Sequence, residues 1–158
     1  MRNSLVLIAG ALASPAAAGT VTVTVPRVAV AEYHRPYVAA WLEPAGGGAA
    51  RTIALWYDLK KRGKEPGTKW LADLRTWWRK GGRNLSLPAD GVSGATRAPG
   101  AYRIPLPADL RPGAYVLHVE AARENGGREL VSVPIAVPVR NAAGAGRTEL
   151  GAVSVTVR

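Results

Sequence analysis

The chain has 158 residues, a formal net charge of +10 and no cysteine. This length suits one domain of ordinary size, and the lack of cysteine excludes disulfides, thiolate metal sites and thiol catalysis. No apolar run is long enough to cross a bilayer as a helix, so the protein is predicted not to span a membrane.

The first residues have the pattern of a secretory signal peptide. Arg2 precedes an apolar run over residues 5–12, and Ala16-Ala17-Ala18 follows after Ser14-Pro15, an order typical of a cleaved signal. We therefore predict a signal peptide over residues 1–18, a single domain over residues 19–158, and a periplasmic location. No nucleic-acid partner is predicted for the positive charge, because an exported protein does not meet nucleic acid.

Strand patterns begin directly after the signal. Val21, Val23 and Val25 alternate with polar residues, which predicts a half-buried strand. Strands over residues 35–42 and 52–58 flank the Gly46-Gly47-Gly48 turn and are expected to pair as a hairpin.

The faces of the strand over residues 52–58 follow from its period of two. One face is predicted to carry Ile53, Leu55 and Tyr57. The other face is predicted to carry Thr52, Ala54 and Trp56.

The periodicity becomes helical between Thr68 and Lys80. The apolar residues there fall on one side of a helix; they are Trp70, Leu71, Leu74, Trp77 and Trp78. Thr68 is predicted to cap the N-terminus, and Gly81-Gly82 to end the helix. A short helix inserted between strands is expected to bury this face against the sheet, while at least one of Trp70, Trp77 and Trp78 is a candidate for stacking on a ligand.

A glycine-rich loop follows the helix, with the sequence Asp90-Gly91-Val92-Ser93-Gly94-Ala95-Thr96. Glycines on both sides of Val92-Ser93 permit a tight turn that would present the hydroxyl of Thr96 on the surface. An ordinary Asx turn, in which Asp90 caps its own backbone, is the alternative explanation.

This loop is similar to the target motif of covalent protein flavinylation, Asp-(Gly/Ala)-x-(Ser/Thr)-Gly-Ala-(Thr/Ser). The motif is known in the sodium-pumping NADH:quinone oxidoreductase and in other proteins with FMN-binding domains. Its defined positions are matched by Asp90, Gly91, Ser93, Gly94, Ala95 and Thr96. The resemblance implies that a magnesium-dependent FAD:protein FMN transferase attaches FMN to Thr96 through a phosphoester. In that setting Asp90 would be recognised by the transferase or cap the loop, and Gly91 and Gly94 would allow close approach of the enzyme and the phosphate.

Strand patterns resume after the loop, over residues 101–106, 115–121, 131–139 and 153–157. Pro134 and Pro138 mark the third of these as an edge strand, and residues 142–146 are predicted to form a glycine-rich turn. The Pro112-Gly113-Ala114-Tyr115 turn resembles the corresponding turn of immunoglobulin-like domains. The predicted fold is therefore mainly β, an immunoglobulin-like antiparallel β-sandwich with one inserted short amphipathic helix.

Much of the chain after the signal is also similar to the exported family called domain of unknown function 2271. The similarity is carried by residues 35–38, 51–56, 71–79, 90–100, 112–115 and 120–124. Family members resemble periplasmic redox proteins found with a membrane PepSY-type reductase and the flavin transferase. Members often have a Trp-Asp pair soon after the motif, where this chain has Ile104-Pro105.

The predicted function is an exported electron carrier with FMN on Thr96 and a PepSY-type membrane reductase as partner. Candidates for stacking on the flavin ring are Trp77 and Trp78, with Trp56 and Tyr102. Candidates for a positive field beside it are Lys60, Lys61, Arg62, Lys64, Arg79, Lys80, Arg83 and Arg97.

The sequence does not favour an independent enzyme. His34 and His118 have no neighbours at metal-ligand spacing, and no nucleophile-elbow or phosphate-loop motif occurs. No catalytic or metal-binding residue is predicted. The alternative function is a non-redox β-sandwich binding module whose exposed tryptophans hold a polysaccharide or a protein.

Overall fold

The computed structural model describes residues 19–60, 63 and 65–157. The predicted signal peptide, residues 1–18, lies outside the described residues, as do Lys61, Arg62 and Lys64 of the basic run. The strands within the described part are β1 Gly19–Val25, β2 Tyr37–Pro44, β3 Arg51–Trp56, β4 Ser93–Gly94, β5 Gly100–Pro105, β6 Gly113–Ala122, β7 Arg128–Val137, β8 Ala142–Ala145 and β9 Ala152–Val157.

The strands form two sheets, with orders β5-β1-β9-β8 and β4-β3-β2-β6-β7. Pairing is antiparallel except between β3 and β4, which run parallel. The order β3-β2-β6-β7 is that of the C′-C-F-G sheet of an immunoglobulin domain, and β1 with β5 corresponds to its B–E pair. At the start of β6 the hydroxyl of Tyr115 donates a hydrogen bond to the carbonyl of Arg111 at 2.7 Å, the tyrosine corner of such domains. The predicted sandwich is confirmed.

The main core lies between the two sheets and follows the predicted alternation. Val21, Val23 and Val25 of β1 are buried there. The inward residues of β7 are buried in the same cluster, namely Val131, Val133 and Ile135. Because side chains alternate across a strand, the intervening residues of both strands point away from this core.

A β-bulge divides the faces of β3 differently from the prediction. Ala40 pairs with Ala54, but its neighbour Trp41 pairs with Thr52, so Ile53 is an extra residue without a partner. The extra residue shifts the alternation by one position. Ile53 therefore joins Ala54 in the core between the sheets, whereas Thr52 lies on the opposite face with Leu55; the predicted grouping was wrong at these two positions.

The inserted helical segment packs on the outer face of the five-stranded sheet, as predicted. It consists of a 3-10 helix, Gly67–Asp73, and a short α-helix, α1, Arg75–Arg79. Leu71, Leu74 and Trp77 are buried in a second cluster with residues of β2 and β3. The indole Nε1 of Trp77 donates to the hydroxyl of Thr52 at 2.9 Å, so the bulge also provides the acceptor for this buried ring.

Thr68 was predicted to cap the helix, and this was wrong. The N-terminus of α1 is capped by a side chain from a distant strand. Glu120 of β6 is fully buried and accepts hydrogen bonds from the backbone N–H groups of Thr76 and Trp77 at 3.1 and 2.8 Å. Arg128 donates to the same carboxylate at 2.8 Å. A carboxylate suits the positive end of a helix, and here it also fastens the helical segment to the sheet.

β7 is the last strand in the hydrogen-bonding order of its sheet, which confirms the predicted edge. Pro134 lies opposite Val116 of β6 and is exposed. The predicted turn over residues 142–146 was wrong, because most of this stretch is β8, which pairs antiparallel with β9.

The loop before β9 is organised by one carboxylate. Glu129 accepts backbone hydrogen bonds from residues 147–150 at 2.5 to 3.0 Å. Burial raises the pKa of Glu129, but the four N–H donors outweigh it and hold the pKa below its ordinary value. The loop therefore binds Glu129 in its charged form.

Candidate functional site

The flavinylation-like motif lies at one edge of the five-stranded sheet. Ser93 and Gly94 form β4, which pairs in parallel with Leu55 and Trp56 of β3. The Leu55 N–H donates to the Val92 carbonyl at 2.9 Å, and the Tyr57 N–H donates to the Gly94 carbonyl at 3.0 Å. These bonds fix the backbone of the motif, and Thr96 follows two residues after β4 ends.

A tight turn leads into β4. The Val92 and Ser93 N–H groups both donate to the Ala89 carbonyl, and the hydroxyl of Ser93 accepts from the Ala89 N–H at 2.9 Å. Ser93 therefore closes this turn, the role that the Asx-turn alternative gave to Asp90. Asp90 is exposed, which leaves its carboxylate facing solvent.

The two motif glycines serve different purposes. Gly91 has φ of +70°, yet a Cβ there would meet nothing within 4 Å, so the turn needs glycine for its conformation. At Gly94 a Cβ would lie 3.3 Å from Arg97 Nη2 and 3.4 Å from Trp56 Cδ1. Gly94 thus permits the close approach of the Arg97 side chain to the strand.

Arg97 directly follows Thr96 and contacts two aromatic rings. Its guanidinium carbon lies 5.1 Å from the ring centroid of Trp56 and 5.8 Å from that of Tyr102, within the range of cation–π attraction. The two rings meet edge to face at 5.6 Å. The Tyr102 hydroxyl donates to the Ala98 carbonyl at 2.6 Å. The structure therefore brings together three candidates from the sequence, Trp56, Tyr102 and Arg97. Trp56 is only 4% exposed and belongs to the main core cluster, so its ring is available to Arg97 but not to a flavin.

Thr96 itself is half-buried, between the exposed Ala95 and the half-buried Arg97. This segment is neither helix nor strand and lies outside both core clusters. A modifying enzyme could therefore approach it without first opening the sandwich.

Trp77 and Trp78, which were also predicted to contact a flavin, have different surroundings. Trp77 is only 1% exposed and packs in the core cluster under the helical segment. A buried ring cannot contact a cofactor outside the fold, so we assign Trp77 to the core and not to the site. Trp78 is half-buried at the margin of the same cluster and keeps an accessible portion.

A cavity of about 400 Å³, a size typical of small-molecule sites, opens at the end of the five-stranded sheet where the chain leaves β4. It is lined by the ends of β2 and β3, the 3-10 helix and the β6–β7 turn, with Trp70, Arg35 and Arg75 among its residues. Trp70 is 36% exposed. Sequence reasoning missed this cavity because its lining comes from four separate segments of the chain.

The charges around the cavity are partly neutralised within the fold. Arg123 forms two hydrogen bonds with Glu149 at 2.8 and 3.1 Å, which raise the pKa of Arg123. Arg128 pairs with Glu120. Among the ion pairs of the described residues, none involves Arg35 or Arg75.

Residues 18–152 match the family described as "Predicted periplasmic protein (DUF2271)". The chain belongs to this family. No curated protein and no solved structure gives a significant match. The family description confirms the predicted periplasmic location of this DUF2271 protein.

The histidines of the DUF2271 protein form polar contacts. His118 stacks on Trp41 with centroids 5.1 Å apart, and its ring nitrogens bond Glu43 and Ser132 at 2.7 and 2.8 Å. His34 contacts Glu32 and Glu124. Within the part of the chain that the structure describes, no cluster of three or more acidic, histidine or cysteine side chains could bind a metal. In the same part, no helix has the length and apolar character needed to cross a bilayer.

Proposed function

We propose that this periplasmic protein is an electron carrier whose FMN is attached covalently to Thr96 by a FAD:protein FMN transferase. The supporting observation is the complete match of residues 90–96 to the acceptor pattern, on an accessible turn at a sheet edge. In the transfer, the Thr96 hydroxyl oxygen forms a bond to the FMN phosphorus of FAD and the pyrophosphate bond breaks. AMP leaves, and the hydroxyl proton passes to a base.

The residues around Thr96 fit an attached phosphoester. Asp90 is exposed for recognition, Gly91 adopts the φ that the turn requires, and Ser93 holds the turn closed. The Arg97 cation follows the acceptor directly and is fixed by Trp56 and Tyr102. A fixed positive charge stabilises a nearby phosphodiester anion.

When bound, FMN would supply reversible electron transfer, which the side chains of this chain cannot provide. Covalent attachment would keep the cofactor on the protein outside the cytoplasm. We infer that a PepSY-type membrane reductase donates the electrons. The protein itself would provide the tether, the positive field and a folded carrier that moves between the reductase and an acceptor.

The test is co-expression with an active transferase, followed by acid precipitation and intact mass measurement. We expect flavin fluorescence that survives denaturation and a mass gain of one FMN less water. Thr96→Ala should abolish both, and Thr96→Ser should retain both because the pattern accepts either hydroxyl. Ser86→Ala is the matched control, since Ser86 is an exposed hydroxyl residue in the same loop region but outside the motif.

An unmodified protein in the presence of an active transferase would contradict the electron-carrier function. It would favour the non-redox binding module, for which the exposed face of Trp70 beside the cavity is the relevant feature. Fluorescence that persists in Thr96→Ala would instead place the attachment at another residue.

A further inference from the structure

The cavity beside Trp70 has a combination of groups that suits a planar aromatic ligand. Trp70 lines it and is one of the few large apolar side chains with substantial exposure in the described residues. The Lys69 ammonium lies 5.8 Å from the centroid of the Trp70 ring. An accessible indole face offers a stacking surface to another ring system.

The cavity wall also offers charges of both signs. Arg35 and Arg75 contribute cations outside the ion pairs of the described residues, whereas Asp58 and Asp73 contribute carboxylates. A flavin ring has carbonyl acceptors and one N–H donor beside its π-surface. Cations can donate to those carbonyls, and a carboxylate can accept from that N–H.

The topology brings this cavity to the end of the sheet where Thr96 leaves it. β4 runs parallel to β3, so the residues after Gly94 and the residues after Trp56 emerge at the same end. Asp58, just beyond β3, lines the near side of the cavity, and Ala122, at the end of β6, lines the far side. With strands about 4.8 Å apart, these walls are one and three strands from β4, or about 5 and 14 Å across the sheet.

We propose that this cavity seats the flavin ring of the FMN tethered at Thr96, with Trp70 as the stacking residue and Arg35 and Arg75 as its cationic partners. This inference rests on the proposed function. It assigns to Trp70 the stacking role that was predicted for Trp77. The attachment point, at the sheet edge, and the binding site of the ring, in the cavity, are then two different places.

The first experiment separates ring binding from attachment. The Thr96→Ala protein, which cannot be modified at that position, is titrated with riboflavin and with FMN while flavin fluorescence is recorded. We expect quenching that saturates, and binding about tenfold weaker after Trp70→Leu. Arg35→Gln with Arg75→Gln should weaken binding of riboflavin and of FMN, because the two ligands share the ring that these arginines are proposed to contact.

Matched controls exclude a general effect of substitution. Leu130 has an exposure of 38%, close to the 36% of Trp70, and lies on β7 outside the cavity lining. Arg103 is an exposed arginine on β5 of the other sheet. Leu130→Ala and Arg103→Gln should leave both affinities unchanged, and thermal melts should show that every variant is folded.

The second experiment uses the covalently loaded protein. Fluorescence and visible circular dichroism of the attached flavin should report a quenched, ordered ring, and Trp70→Leu should raise the fluorescence and reduce the dichroism. If FMN attaches to Thr96 but Trp70→Leu changes neither signal, the cavity is not the seat and the electron-carrier function stands. If no FMN attaches to Thr96, the proposed function fails and this inference fails with it.

Discussion

Replacing Glu120 by alanine should detach the helical segment from the sheet. The substitution removes the acceptor of two backbone N–H groups and the partner of Arg128. Hydrogen bonds to a charged group contribute about 1.5 to 3 kcal/mol each, but removing a buried carboxylate also relieves its desolvation. Arg128 is 38% exposed and can regain water. We therefore expect a net loss of about 3 kcal/mol, near the lower end of the cost of breaking a buried ion pair.

Urea unfolding followed by tryptophan fluorescence measures this loss, and a fall in Tm of about 10 °C should accompany it. Near-ultraviolet circular dichroism should also weaken, because Trp77 lies in the segment that is released. Glu65→Ala is the control, since it removes an exposed carboxylate whose contact with Lys69 is at the surface and should cost at most about 0.5 kcal/mol. A Glu120→Ala protein within about 1 kcal/mol of the parent would refute the capping role. A similar loss in Arg128→Ala would assign the effect to the ion pair.

Substitutions at two further positions test the loops. The pKa of Glu129 is below its ordinary value of 4.5 in the folded protein, so the stability from its charged form is present above that value and is lost as the pH falls through the folded pKa. Glu129→Gln should therefore destabilise the protein at pH 7, and its difference from the parent in urea unfolding should shrink below about pH 4; a difference that grows on acidification would contradict this. Gly91→Ala should cost about 1 kcal/mol because of the positive φ at that position. Gly91→Asn should cost less, since asparagine tolerates the left-handed region, and equal costs would show that the turn has relaxed.

The sandwich could be predicted because its strands follow simple alternation. Val21, Val23 and Val25 face the core at every second position, and the proline–glycine turn before Tyr115 gives the tyrosine corner. The bulge at Ile53 has no local signal, since it depends on how β3 registers with β2. The cap of α1 was missed for a similar reason, because Glu120 is more than 40 residues away from the N–H groups that it binds.

The candidate site was predictable to the extent that it is continuous in sequence. Residues 90–94 form one turn and one short strand, and Thr96 follows in the same loop, so the spacing of the motif alone indicates an accessible loop. The contact of Arg97 with Trp56 and Tyr102 could be found only from the fold, although all three residues were candidates from the sequence. The Trp70 cavity could not be predicted without the fold, because no single segment of the chain contains more than part of its wall.

The position of Pro134 has a consequence for the behaviour of the protein in solution. Proline lacks the N–H that a neighbouring strand would need, and Pro134 lies on the last strand of the five-stranded sheet. A second molecule that approached this margin would find an interrupted row of donors, which disfavours continuous β-pairing between copies. Pro134 therefore lowers the tendency of copies of this chain to polymerise along that side.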